Sequence, residues 1–87
     1  MKITIIGTGY VGLVSGACFA ELGHEVICLD INPKIIAQLR KAKAPFFEPG
    51  LNRLIEQNVL KKRLKFSTSY FTGCKNNIFF ICVDTPD

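Results

Sequence analysis

Eighty-seven residues allow one small domain, and a domain of this size buries only about 60% of the surface of its unfolded chain. A composition 48% hydrophobic and 10% aromatic excludes a disordered chain. The formal charge of +4 invites a nucleic-acid partner. The basic residues, however, gather as Arg40, Lys41 and Lys43 and as Lys61-Lys62-Arg63 with Lys65, at the ends of predicted helices where cations favour the negative pole of the helix dipole. No RNA-binding or helix-turn-helix signature accompanies them, so no nucleic-acid partner is expected.

The stretch from Met1 to Asp30 admits two readings. Lys2, an apolar run and the small residues Ser15-Gly16-Ala17 before Cys18 resemble an export signal with a lipoprotein-type cleavage site. Such a signal needs an unbroken apolar core of about 7–15 residues, and Gly7, Gly9 and Gly12 break it. A membrane span needs about 20 mostly apolar residues, and Thr4, Thr8, Tyr10 and Ser15 dilute the run. What the glycines do form is G-x-G-x-x-G directly after the β-rich Ile3-Thr4-Ile5-Ile6. That motif arises by chance in roughly 3 chains in 100 at ordinary glycine frequency, so its context decides.

The context favours a phosphate-binding turn. Gly12, Gly16 and Ala20 recur every four residues and give a helix one nearly bare face that can approach a strand closely. This helix is predicted to stop at Leu22, with Gly23 as a left-handed cap. Val26-Ile27-Cys28-Leu29 reads as a second, buried strand ending at Asp30, which falls 18 residues after Gly12. An acidic residue about 20 positions beyond the glycines, closing the second strand, is the signature of a dinucleotide-binding βαβ unit.

Asn32 then caps a helix that begins at Pro33 and runs through Ile35, Ile36 and Leu39 toward Ala42. The run Pro45 to Gly50, PFFEPG, breaks it, and a further helix follows from Leu51 to about Leu60. Leu64-Lys65-Phe66-Ser67 alternates apolar and polar, as an exposed edge strand does, whereas Ile78 to Val83 is continuously apolar, as an interior parallel strand is. Ser69 to Asn77, with Gly73 and two Asn, leaves room for a short helix or none.

Right-handed crossovers then give an α/β fold, the N-terminal half of a Rossmann dinucleotide-binding fold, with parallel sheet order 3-2-1-4. Ligands of such sheets bind beyond the carboxyl ends of the strands. That edge would carry Gly7 to Gly12, Asp30 and, after the fourth strand, Asp84-Thr85-Pro86.

Each residue there has a physical task. Gly7 allows the tight turn, Gly9 lets the backbone approach a pyrophosphate, and Gly12 permits helix–strand contact, while the amides near Tyr10 and Val11 face the anion. Asp30 can accept the ribose hydroxyls of an adenosine and would repel a 2′-phosphate, which selects NAD over NADP. A helix-capping role is its competitor. Thr85 either hydrogen-bonds the nicotinamide side or is punctuation before Pro86.

Cys18, Cys28, Cys74 and Cys82 form no C-x-x-C pair, and His24 is the sole histidine, so no metal is expected. Cys28 and Cys82 lie in apolar strands and read as buried, reduced thiols of a cytoplasmic protein.

GTGYVGLVSGACFAELGHEV from Gly7, the Asp30 that follows, FFEPGL from Phe46 and FFICVDTP from Phe79 together resemble the N-terminal segment of the UDP-glucose/GDP-mannose (nucleotide-sugar) 6-dehydrogenases, the UDP-glucose enzymes above all. The resemblance spans the chain. It implies an NAD-dependent enzyme that oxidises a sugar 6-hydroxymethyl group twice, to the uronic acid, through a cysteine-bound thioester, and it implies cofactor contacts for Val11, Asp30 and Thr85.

Two positions depart from the family pattern. Ile35 stands where the family commonly has a basic residue near the ribose, with Lys34 one place earlier, and Asp84 replaces a small residue or Pro before Thr85. The family's catalytic Cys, its Lys and Asn partners, a second Rossmann domain and a dimer interface fall beyond Asp87. Residues 1–87 are therefore expected to be a partial NAD-binding domain, inactive alone, that self-associates through the edge of its fourth strand. A relative oxidising UDP-N-acetylmannosamine or GDP-mannose, and a standalone NAD-binding module without chemistry, are the alternatives.

Overall fold

The computed structural model describes residues 1–69 and 78–81. Seven elements follow in chain order: β1 (Lys2–Ile6), α1 (Tyr10–Glu21), β2 (Glu25–Leu29), α2 (Pro33–Arg40), α3 (Leu51–Leu60), β3 (Leu64–Ser67) and β4 (Ile78–Ile81). The strands make one parallel sheet in the order β3-β2-β1-β4, as the sequence implied. Cys74, Cys82, Val83, Asp84 and Thr85, and the segment after Ser69 for which a short helix or none was expected, lie outside the described residues.

The period-two pattern of the strands decides which side chains enter the core. Ile3 and Ile5 of β1 pair in register with Val26 and Cys28 of β2, which pair in turn with Leu64 and Phe66 of β3. These six point to one face and are buried there with Leu13, Ala17, Ala20, Ile36, Leu39, Leu51 and Ile55 from the three helices. Edge strand β3 alternates buried Leu64 and Phe66 with exposed Lys65. On the other edge, Phe79, Phe80 and Ile81 of β4 are 49%, 39% and 73% exposed, and the Phe80 ring stacks on Phe19 of α1 with centroids 5.3 Å apart.

Helix α1 lies against the sheet on the bare face foreseen from its glycine spacing. A Cβ at Gly16 would come within 2.7 Å of Cys28 Sγ and 3.1 Å of Ile5 Cδ1, so the close approach requires glycine there. Buried Asn58 of α3 ties the helices together: its Nδ2 donates to Glu21 Oε2 of α1 and to the Leu54 carbonyl, both at 2.9 Å, and its Oδ1 accepts from Arg63.

All three helices end in the same hydrogen-bonded cap. After α1, Gly23 takes φ +104°, with the His24 amide on the Phe19 carbonyl and the Gly23 amide on the Ala20 carbonyl. After α2 the pairs are Lys43 on Gln38 and Ala42 on Leu39, and after α3 they are Arg63 on Asn58 and Lys62 on Val59. Ala42, toward which α2 was expected to run, is therefore not helical. It holds the left-handed position of the cap at φ +59°, and α2 stops at Arg40. Lys62 does the same at φ +62°.

The basic residues at these ends have structural work. Arg40 donates twice to the Phe66 carbonyl on β3, at 3.2 and 3.0 Å, and Arg63 reaches Asn58. No helix among the described residues is long and apolar enough to cross a membrane.

Candidate cofactor site

The carboxyl ends of β1 and β2 meet where the chain turns twice. β1 leaves the sheet at Gly7, whose φ of +104° is open to glycine and strained for a side chain, and whose amide still reaches the Leu29 carbonyl at 2.8 Å. Gly9 is the N-cap of α1, extended, with no side chain capping the helix and no acidic residue in its first turn. The first intrahelical bond runs from the Leu13 amide to the Gly9 carbonyl. The amides of Tyr10, Val11 and Gly12 thus precede the helical hydrogen-bond ladder, at the positive end of a helix of twelve residues. Such an end suits an anion.

Asp30 follows β2 directly, its amide fixed to the Ser67 carbonyl at 3.1 Å. Its carboxylate turns toward the glycine loop. Oδ2 accepts the Thr8 hydroxyl at 2.6 Å and the Thr8 amide at 3.1 Å, while Oδ1 accepts the Asn32 amide at 2.9 Å. Partial burial, the largest single influence, pushes its pKa up. The bonds from the Thr8 hydroxyl and from the Asn32 and Thr8 amides, helped by the nearby Ile31 amide, outweigh that and hold Asp30 below the ordinary carboxylate value. It is an ionised acceptor at neutral pH. The competing role of helix cap falls instead to Asn32, whose Oδ1 accepts from the Lys34 and Ile35 amides.

The structure therefore brings Gly7, Gly9, Tyr10, Val11, Gly12 and Asp30 to one edge of the sheet, whereas Thr85 lies outside the described residues. Gly12 is buried, and Val11 is 61% exposed beside the turn. Ile35, at the position where a basic residue would meet a ribose, packs partly buried against the core, while Lys34 is exposed at the start of α2.

Two features were not anticipated from the sequence. Thr8, the variable residue between the first two glycines, is buried with both its polar donors on Asp30. The PFFEPG run, read as a helix breaker and as part of a family motif but given no place at the site, folds back onto the turn: the Tyr10 ring lies 5.2 Å from that of Phe46, and the Tyr10 hydroxyl donates to Glu48 Oε2 at 3.2 Å. That hydrogen bond, the charge of Glu48 and some burial all raise the Tyr10 pKa, so the phenol stays protonated.

Two grooves lie away from this edge. One of about 270 Å³ is lined by Lys2, Glu25, Lys62 and Arg63 at the amino ends of the strands, and one of about 390 Å³ runs beside Arg40, Val59 and Phe66. His24 accepts from the Met1 amine at 3.1 Å, and among the described residues no three metal-ligating side chains converge.

A glycine turn at a helix N-terminus with an ionised carboxylate at the end of the adjacent strand defines a dinucleotide-binding Rossmann unit. A sequence profile described as the NAD binding domain of the UDP-glucose/GDP-mannose dehydrogenase family matches residues 1–87, and the chain belongs to that family. Its cofactor is NAD, and the uncapped α1 terminus and the ionised Asp30 fit the pyrophosphate and ribose of that molecule.

Among relatives, UDP-glucose 6-dehydrogenase YwqF of Bacillus subtilis is 51% identical and UDP-glucose 6-dehydrogenase of Rhizobium meliloti 49% identical, each over 99% of this chain and 20% of the relative. The GDP-mannose dehydrogenase structure from Pseudomonas aeruginosa superposes with a TM-score of 0.94 at 39% identity, over 99% of this chain and 20% of that one. The UDP-D-ManNAc dehydrogenase of Pyrococcus horikoshii gives 0.95 at 31% identity, over 99% and 21%. The chain thus spans about a fifth of the length of the curated relatives it matches.

Proposed function

We propose that this chain is the cofactor-binding part of an NAD-dependent nucleotide-sugar 6-dehydrogenase acting on UDP-glucose. On this reading Gly7 and Gly9 let the backbone meet the pyrophosphate, the Tyr10 and Val11 amides donate to it, and Gly12 keeps α1 close to the sheet. Asp30 accepts from the adenosine ribose, and Thr85 meets the nicotinamide side. Bound NAD supplies the hydride acceptor. Taking a 6-hydroxymethyl group to a carboxylate removes two hydrides, so two NAD are consumed for each UDP-glucuronate formed.

The groups that hold the sugar, and the thiolate nucleophile that the second oxidation calls for, belong to parts of the protein beyond residues 1–87. Those residues form a partial NAD-binding domain, and the protein works in the cytoplasm, where NAD and nucleotide sugars are available and a buried thiol such as Cys28 stays reduced. That the relatives at 51% and 49% identity are both named for UDP-glucose supports UDP-glucose as substrate.

The observation that carries the reading is the Asp30 carboxylate, ionised and fixed against the glycine turn beside the α1 N-terminus. Titrating NAD and NADP into the intact protein and its Asp30→Ala variant tests it. NAD should bind more tightly than NADP, and the variant should lose roughly 10- to 150-fold in NAD affinity, the worth of a hydrogen bond to a charged group. Equal binding of NAD and NADP by the unaltered protein refutes it.

A further inference from the structure

We infer that Thr8 is a positioning residue for cofactor selection, dividing the Asp30 carboxylate into one oxygen that anchors and one that binds. The inference rests on Asp30 being the ribose acceptor and adds the device that aims it.

A carboxylate offers about four lone-pair sites, two on each oxygen. Oδ2 of Asp30 has both filled by Thr8, through the hydroxyl at 2.6 Å and the amide at 3.1 Å. Oδ1 has one filled, by the Asn32 amide at 2.9 Å. The site remaining on Oδ1 is the one a ribose hydroxyl can use. Without the Thr8 hydroxyl, the carboxylate loses its shortest bond and one of the two donors that keep Oδ2 turned inward. It can then rotate about its Cβ–Cγ bond and present either oxygen in a range of directions.

The burial of Thr8, 2% exposed, separates this role from direct contact, because the side chain has little surface left to offer a ligand. Its position between Gly7 and Gly9 gives the bond a second consequence. The same residue that fixes Asp30 belongs to the turn whose backbone meets the pyrophosphate, so the phosphate and ribose ends of the site are held in register through one side chain.

The test is a double-mutant cycle on the intact protein, with Kd for NAD and for NADP measured by titration and folding checked by thermal unfolding. Thr8→Val keeps the shape and removes the hydroxyl; it should weaken NAD binding roughly tenfold, toward the lower end for a charge-assisted bond, with a smaller effect on NADP. Thr8→Ser restores the hydroxyl and should recover the affinity. In the Asp30→Ala background, Thr8→Val should change NAD affinity by no more than about twofold, because the group it acts through is gone.

An equal loss in both backgrounds would mean that Thr8 acts on the loop or the cofactor directly, and would overturn the inference. So would tighter NAD binding by Thr8→Val, which would mean that the hydroxyl competes with the ribose. If Asp30→Ala weakens NAD and Thr8→Val does not, only the positioning role fails. If Asp30→Ala itself leaves NAD binding unchanged, the ribose assignment falls and this inference with it.

Discussion

Replacing Gly16 with Ala sets two well-defined effects against each other. Within a helix, alanine is favoured over glycine by about 1 kcal/mol, so an exposed site would gain stability. Here the new methyl would sit 2.7 Å from Cys28 Sγ and 3.1 Å from Ile5 Cδ1. Ordinary contact is about 3.5–4.0 Å, so the neighbours must retreat by about 1 Å. Cys28 and Ile5 are fully buried on adjacent paired strands, which leaves them little room to do so. Overpacking of this kind costs about 1–3 kcal/mol, and the upper part of that range applies. The net loss is about 1–2 kcal/mol, a fall in Tm of roughly 5–15 °C for a domain of this size. Cys28→Ala removes the sulfur that collides, so the double variant should lie well above the sum of the two single losses, with a coupling of about 1 kcal/mol or more. Urea unfolding of the four proteins measures this. Because α1 also carries the Tyr10 and Val11 amides, Gly16→Ala should weaken NAD binding as well, and Cys28→Ala should recover part of it. A Gly16→Ala protein more stable than its parent, or strict additivity in the cycle, would refute the close approach of α1 to β2.

Two further outcomes are expected. Asp30 has a folded-state pKa below its unfolded value of about 3.9, so its stabilisation is fully present above that value and is lost as pH falls through the folded one. The urea midpoint should therefore drop on acidification from about pH 4 downward, and Asp30→Asn should make that drop shallower; an unchanged slope would show that other carboxylates carry it. The isolated Met1–Asp87 chain should self-associate, since Phe79 and Ile81 are exposed on an edge strand that invites pairing. Light scattering should detect species above 9.7 kDa, and Phe80→Glu or Ile81→Lys should reduce them, whereas a monomer at high concentration would mean that the edge is protected.

The fold was legible because its signals are local and mutually consistent. Gly12, Gly16 and Ala20 specify a bare helical face, Asn32-Pro33 a helix start, and Leu64 to Ser67 a half-exposed strand, and each of these sits where its spacing put it. The error at Ala42 has the same origin. An apolar residue continuing the period of α2 looks helical, and nothing in its type announces a left-handed cap, because alanine adopts that conformation only when the two closing hydrogen bonds offset a strain of about 1–2 kcal/mol.

The cofactor edge was legible only for residues whose type already restricts what they can do. Gly7 must be glycine at φ +104°, and a lone acid directly after β2 has few tasks besides accepting hydrogen bonds at that edge. Thr8 carries no such mark, since any residue can stand between two glycines of the turn, and its importance arises from a contact with a residue 22 positions away. Glu48 meets Tyr10 across 38 positions for the same reason. In both cases the sheet creates the meeting. Parallel pairing of β1 with β2 puts Gly7 and Asp30 at one level, so the residue after Gly7 faces the carboxylate whatever lies between them in the chain. A hydroxyl at that place then has one strong acceptor within reach, and an anionic one, which is why the shortest hydrogen bond at this edge joins the least diagnostic residue of the motif to its most diagnostic one.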